Sequence, residues 1–168
     1  DDLESIQSLR PEGPRRRWES FHQEEYRDKL EGALLGRCAG CTLGAPVEFN
    51  SIEAMQALAR QNGEPFPPVD YWRHVPNRDA KRYGVSRRAD YTRDAMDGVP
   101  VDDDITYTLL GLLIAEEYGT DFTTEDVGQA WQTYVPHACT AEEIALKNLR
   151  SGVPAAKAGH QENPFCEW

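Results

Sequence analysis

The sequence predicts an all-α fold. Five segments carry apolar residues at spacings of three and four, their ends bear helix start and stop signals in the right order, and no apolar–polar alternation marks a strand. At 168 residues the chain falls in the usual range for one domain and can bury a core without disulfides. One helical domain is therefore expected over residues 24–168, after a polar arm over 1–23.

In the arm, Pro11, Gly13 and Pro14 precede Arg15, Arg16 and Arg17, which read as a solvated basic stretch. From Glu24 to Cys41, the residues Tyr26, Leu30, Ala33, Leu34 and Cys38 recur at helical spacing. Gly32, Gly36 and Gly40 fall at steps of four on that helix, where propensity alone disfavours glycine, so tight packing or a bound ligand is the expected reason. Gly44-Ala45-Pro46 ends the helix. Asn50 or Ser51 with Glu53 caps a second helix running to about Gln61, and Asn62-Gly63 stops it. From Glu64 to Pro100, prolines, glycines and aromatics are interleaved with charges. This predicts a long irregular loop, which within a domain is more often functional than idle.

Asp102, Asp103 and Asp104 open a third helix through Ile105, Leu109, Leu110, Leu112, Leu113 and Ile114 to Tyr118, with Gly119 as its stop. Apolar nearly all round, it is expected to be central. Thr123 or Thr124 caps the fourth helix, which turns Val127, Ala130, Trp131 and Tyr134 inward and ends at Pro136. Thr140 with Glu143 predicts a capping box for the fifth, with Ile144, Ala145 and Leu149 on one face and Gly152 and Pro154 closing it.

No apolar run approaches the roughly 20 residues that span a bilayer, so a soluble protein is expected. A net charge of -11 argues against nucleic acid or an anionic membrane as partner, and favours a cation or a small ligand held through one. Cys38, Cys41, Cys139 and Cys166 lack the density of a disulfide framework, which suggests a reducing, cytoplasmic setting. Cys38 and Cys41 form a C-x-x-C within a helix and read as small buried residues rather than a zinc or redox pair. His22, His74, His137 and His160 are scattered and read as surface or structural, while Arg87 and Arg88 are candidates for reaching a diphosphate.

The chemistry is expected at Asp102-Asp103-Asp104. A helix N-terminus stabilises one or two carboxylates, but three in a row repel unless a cation neutralises them. On the residues alone, a solvated acidic cap and an oxygen-ligand site for magnesium, calcium or manganese both stand. An EF-hand is excluded, since it needs Gly and Glu where the chain has Tyr107 and Leu113.

Three ordered motifs then resemble one family. Gly32-Ala33-Leu34-Leu35-Gly36, running on through Gly40 to Gly44-Ala45-Pro46-Val47-Glu48, resembles the opening helix and loop of the ADP-ribosylglycohydrolases. Asp102-Asp103-Asp104 before Ile105-Thr106-Tyr107 resembles their first metal motif, and Glu162-Asn163-Pro164-Phe165 with Glu167-Trp168 a later segment. The resemblance covers residues 27–168. It implies an orthogonal bundle of helices holding two magnesium ions, with manganese as a substitute, and hydrolysis of the N- or O-glycosidic bond of an ADP-ribosylated protein or small molecule. Asp102, Asp103 and Asp104 are the implied metal ligands, with Glu48 and Asp103 as catalytic carboxylates. Gly40 and Gly44 would offer backbone amides to the pyrophosphate, and Tyr107 a ring to the adenine, although such an aromatic is more often core.

The family's commoner motif reads Thr-Asp-Asp-Thr, so Asp102 and Ile105 each replace a hydroxyl residue. Its second acidic motif, toward the C-terminus of a full-length enzyme, does not occur in these residues. The fold is therefore expected to be incomplete at the C-terminus, and this chain alone inactive until a further segment of the polypeptide or a partner chain completes the site. A non-catalytic ADP-ribose-binding or interaction module is the alternative.

Overall fold

The computed structural model describes residues 3–13 and 20–168. Among these are seven α-helices and no strand, as the all-helical reading requires: α1 (Leu3–Ser8), α2 (Gln23–Gly44), α3 (Ile52–Asn62), α4 (Asp103–Tyr118), α5 (Thr124–Tyr134), α6 (Ala141–Arg150) and α7 (Ala155–Ala158). The five expected helices are α2 to α6. The Arg15–Arg17 stretch lies outside the described residues.

The chain divides into two compact units, residues 1–35 and 36–168. The first holds α1 and the start of α2, where Phe21 and Tyr26 pack with ring centroids 5.0 Å apart and Lys29 pairs with Glu25 at 2.6 Å.

In the second unit, α2 runs into a 3-10 turn at Ala45–Val47, with Ala45 and Pro46 buried. Ser51 caps α3 by accepting from the Ala54 N–H at 3.3 Å. At the other end Gly63 takes φ 69°, its N–H reaching Arg60 O at 3.1 Å while Glu64 N–H reaches Ala59 O at 2.9 Å. This paired closure needs a left-handed residue, which Asn62-Gly63 announced. Leu58 and Ala59 of α3 pack with Trp72 and Val75 from the long loop. The Trp72 indole N–H donates to Leu43 O at 3.0 Å, satisfying one of the carbonyls left open at the end of α2. The 64–100 loop forms nothing longer than a 3-10 turn at Arg88–Tyr91 and one bridge between Lys81 and Arg87.

The second core joins α4, α5 and α6 through Leu110, Ile114, Ala130, Val135, Ala138 and Leu146. Thr123 and Asp126 form the capping box of α5. Tyr134 of α5 is exposed rather than turned inward, and three further expectations change. Among the described residues α4 is covered on one side only: Leu110 and Ile114 are buried, but Leu109 and Leu112 are 51% and 58% exposed. Thr140 forms no capping box, because it sits at φ 55° and its side chain accepts no bond from the helix. The start of α6 is held instead by buried Asn163, whose Nδ2 donates to Ala141 O and Gly159 O, both at 2.9 Å, while its Oδ1 accepts from Phe165 N–H at 3.0 Å. Among the described residues the glycine stripe also meets no close neighbour, since a Cβ at Gly32, Gly36 or Gly40 would find no atom within 4 Å. Close approach occurs at Gly128 of α5, where a Cβ would lie 2.8 Å from Ala155 Cβ and 3.0 Å from Leu149 Cδ2.

Candidate active site

Asp102 is the N-cap of α4, and extended backbone there (φ −146°, ψ 152°) turns its side chain back over the first turn, where it accepts from Asp104 N–H at 3.3 Å. The side chain is fully buried, and its second oxygen accepts from Arg82 Nη1 at 2.8 Å and from the Tyr91 hydroxyl at 2.7 Å. Thus one acid of the run is both a helix cap and the centre of a buried ionic network, which removes much of the repulsion expected of three adjacent carboxylates.

Arg82 carries the network further. Its Nη2 lies 2.7 Å from Glu48 Oε2, and the Tyr83 hydroxyl donates to the same oxygen at 3.0 Å. Asp103 Oδ1 stands 3.8 Å from Arg82 Nη1, and the Cys139 thiol reaches Asp103 Oδ2 at 4.0 Å. Arg82, Asp102 and Asp103 face a cavity of about 200 Å³ whose walls include Val101, Tyr107, Val135 and Ala138.

Unequal hydrogen bonds, with the Arg82 charge, separate the two acids electrostatically, since burial raises both. Burial opposes the Asp102 charge, yet hydrogen bonds with Asp103 and from Tyr91, together with the Arg82 charge, hold its carboxyl below the usual range. Asp103 moves the other way, pushed up to about 6 by burial and then by the hydrogen bond with Asp102 and that neighbour's charge. Burial pushes the Cys41 thiol up to about 12, with the Asp102 charge adding to it.

Cys41, in the last turn of α2, comes together with Asp102 and Asp104: one ligand atom from each lies within 4.8 Å of the others. The two carboxylates suit a hard divalent cation, and the thiol is the softer donor of the set. Asp103 is not in that group. Glu48 joins Asp102 through Arg82. Tyr107 lines the cavity and stacks on Trp131 with centroids 5.0 Å apart, so it serves the core as well. Gly40 and Gly44 do not line the cavity. Nor do Arg87, which pairs with Asp90 at 2.7 Å, and Arg88, which donates to Pro46 O at 2.6 Å. The residues missed in the sequence are Arg82, Tyr83, Tyr91 and Cys41. One signal was available for Arg82: a third carboxylate where a hydroxyl is usual calls for a counter-charge.

Compared with known families, residues 22–166 match the ADP-ribosylglycohydrolase family. The chain belongs to the ADP-ribosylglycohydrolase family. Comparison with curated proteins and with solved structures gave no match. Family membership accounts for the all-α fold and assigns ADP-ribosyl glycohydrolase-type hydrolysis to it. No helix among the described residues is long and apolar enough to cross a membrane.

Proposed function

We propose that this family member takes part in magnesium-dependent hydrolysis of the N- or O-glycosidic bond of an ADP-ribosylated protein or small molecule. The observation that carries the reading is the meeting of Asp102 and Asp104 with Cys41, while Arg82 holds Glu48 to the same Asp102 beside an apolar-walled cavity. Asp102 and Asp104 would hold the cation. When bound, magnesium orients the ribose hydroxyls and lowers the pKa of an attacking water. Asp103, its carboxyl raised to about 6, lies close enough to neutrality to take up a proton and give it back during the reaction. Glu48 stands more exposed than Asp102 and exchanges protons with the leaving group. Tyr107 offers an aromatic wall to the ligand, whereas Gly40 and Gly44, at the C-terminal end of α2 and away from the cavity, are not placed to give amides to a pyrophosphate there.

Three side-chain ligand atoms suffice for one magnesium ion, whose other positions water and substrate oxygens would take. We infer that a second acidic pair, from a further segment or a partner chain, completes a two-ion site. The four free cysteines support a reducing, cytoplasmic setting. The same three-atom set favours a second reading, ADP-ribose binding without turnover. Release of ADP-ribose from ADP-ribosylated arginine and serine peptides, by the chain supplied with the segment or partner that carries the second acidic pair, separates the two. Hydrolysis predicts release that EDTA abolishes and that Asp104→Asn and Glu48→Gln each reduce by about 100-fold or more. Tight binding of ADP-ribose with no release in any magnesium concentration selects the second reading.

A further inference from the structure

The acidic site already contains a cation of its own. Arg82 is only 11% exposed in its side chain, and its guanidinium carbon lies 4.6 Å from the centroid of the Tyr83 ring. Its place is fixed by a tight turn: Arg82 N–H donates to Ser86 O at 2.8 Å, Val85 N–H donates back to Arg82 O at 3.0 Å, and Tyr83 and Gly84 both take positive φ, 50° and 75°. The turn is tied to the residue before Asp102, since the Ser86 hydroxyl donates to Val101 O at 2.8 Å. From that anchored turn the guanidinium spans Glu48 and Asp102, which lie 54 residues apart in sequence (102 − 48). A planar fork can bridge two carboxylates in this way, whereas an ammonium is a point charge.

Resting on the hydrolytic reading above, we propose that Arg82 is a positioning residue that clamps Glu48 to Asp102, and that a divalent cation at Asp102 and Asp104 acts against this clamp. Asp102 has one negative charge to share, one of its oxygens already serves both Arg82 and Tyr91, and a second cation on the same carboxylate faces the guanidinium across a few ångströms of half-buried space. Cation entry therefore loosens Arg82 from Asp102 and unties Glu48 from the start of α4, leaving it held by Arg82 and Tyr83 alone. Loss of the cation returns Glu48 to the clamp.

The test is Mn2+ binding to the full chain, read from the free-ion electron paramagnetic resonance signal, for the wild type, Arg82→Gln, Arg82→Lys and Asp104→Asn. Arg82→Gln is expected to bind Mn2+ at least about tenfold more tightly, because a like charge is gone, while Arg82→Lys stays near the wild type and Asp104→Asn weakens. Wild-type-like or weaker binding by Arg82→Gln, with Asp104→Asn still weakened, overturns the clamp and leaves the cation site intact. Mn2+ binding that ignores Asp104→Asn overturns the site and the clamp with it. Should Arg82→Gln fail to fold, the wild type suffices: Mg2+ is expected to shift the Arg82 guanidinium N–H resonances, and their standing still at saturating Mg2+ overturns the proposal.

Discussion

Asp102→Asn reverses the sign that the sequence alone suggests. If the three carboxylates merely repelled one another, removing one charge would stabilise the protein. In the structure the same change replaces the Arg82 ion pair at 2.8 Å by a bond from the charged guanidinium to a neutral amide, and the charge-assisted Tyr91 bond at 2.7 Å by a neutral one, a loss of about 1 kcal/mol each. It also sets an amide N–H against the Asp104 N–H, costing the helix cap about 1 kcal/mol. Removing one partner of a fully buried pair costs about 3–5 kcal/mol, but Arg82 keeps Glu48 at 2.7 Å, so the lower part of that range applies. Against this, Asp103 is relieved of its neighbour's charge, a gain held to about 1 kcal/mol because its side chain is 40% exposed. The net expectation is destabilisation by about 2 kcal/mol, or about 4–8 °C for a chain of this size. Urea titration at pH 7 measures it, with an unchanged slope and a lower midpoint expected. A variant as stable as the wild type, or more stable, would refute the buried network as drawn here.

Asp103 gives a pH signature. Its carboxyl is raised in the folded state, so the stability it confers is complete below the unfolded value near 4 and is lost as pH rises through about 6. Asp103→Asn should therefore gain on the wild type between pH 4 and pH 6, by about 1 kcal/mol after allowance for exposure, in paired urea titrations; a constant difference across that window counts against the raised carboxyl. Gly128→Ala should cost about 1–3 kcal/mol, since the new methyl meets Ala155 Cβ at 2.8 Å, while leaving Mn2+ binding unchanged. Asn163→Ala should cost about 2–3 kcal/mol in the same titration, because it strips a partner from two carbonyls and one N–H.

What was legible in the sequence was what neighbours in the chain decide. Ser51 and Gly63 bound α3 through bonds spanning three to five residues, and Thr123 with Asp126 starts α5 in the same way. Thr140 fits the same pattern, yet its backbone adopts positive φ and its side chain accepts no bond from the helix, so no box forms. The stripe of Gly32, Gly36 and Gly40 advertised a close approach that the structure makes at Gly128 instead, because a glycine's pattern says nothing of what faces it. The acidic centre was visible from three adjacent aspartates and a family resemblance. Its counter-charge was not, since Arg82 reaches Asp102 across 20 residues and Glu48 across 34 from a loop without periodicity. Cys41 was read as a buried small residue, and only the fold brings its sulfur within ligand distance of Asp102 and Asp104.

The most direct test of the site is the anomalous scattering of Mn2+ in crystals of the full chain. A peak is expected within coordination distance, about 2.2 Å, of carboxylate oxygens from both Asp102 and Asp104. A fully occupied peak elsewhere, or none at a concentration that saturates binding in solution, would contradict it.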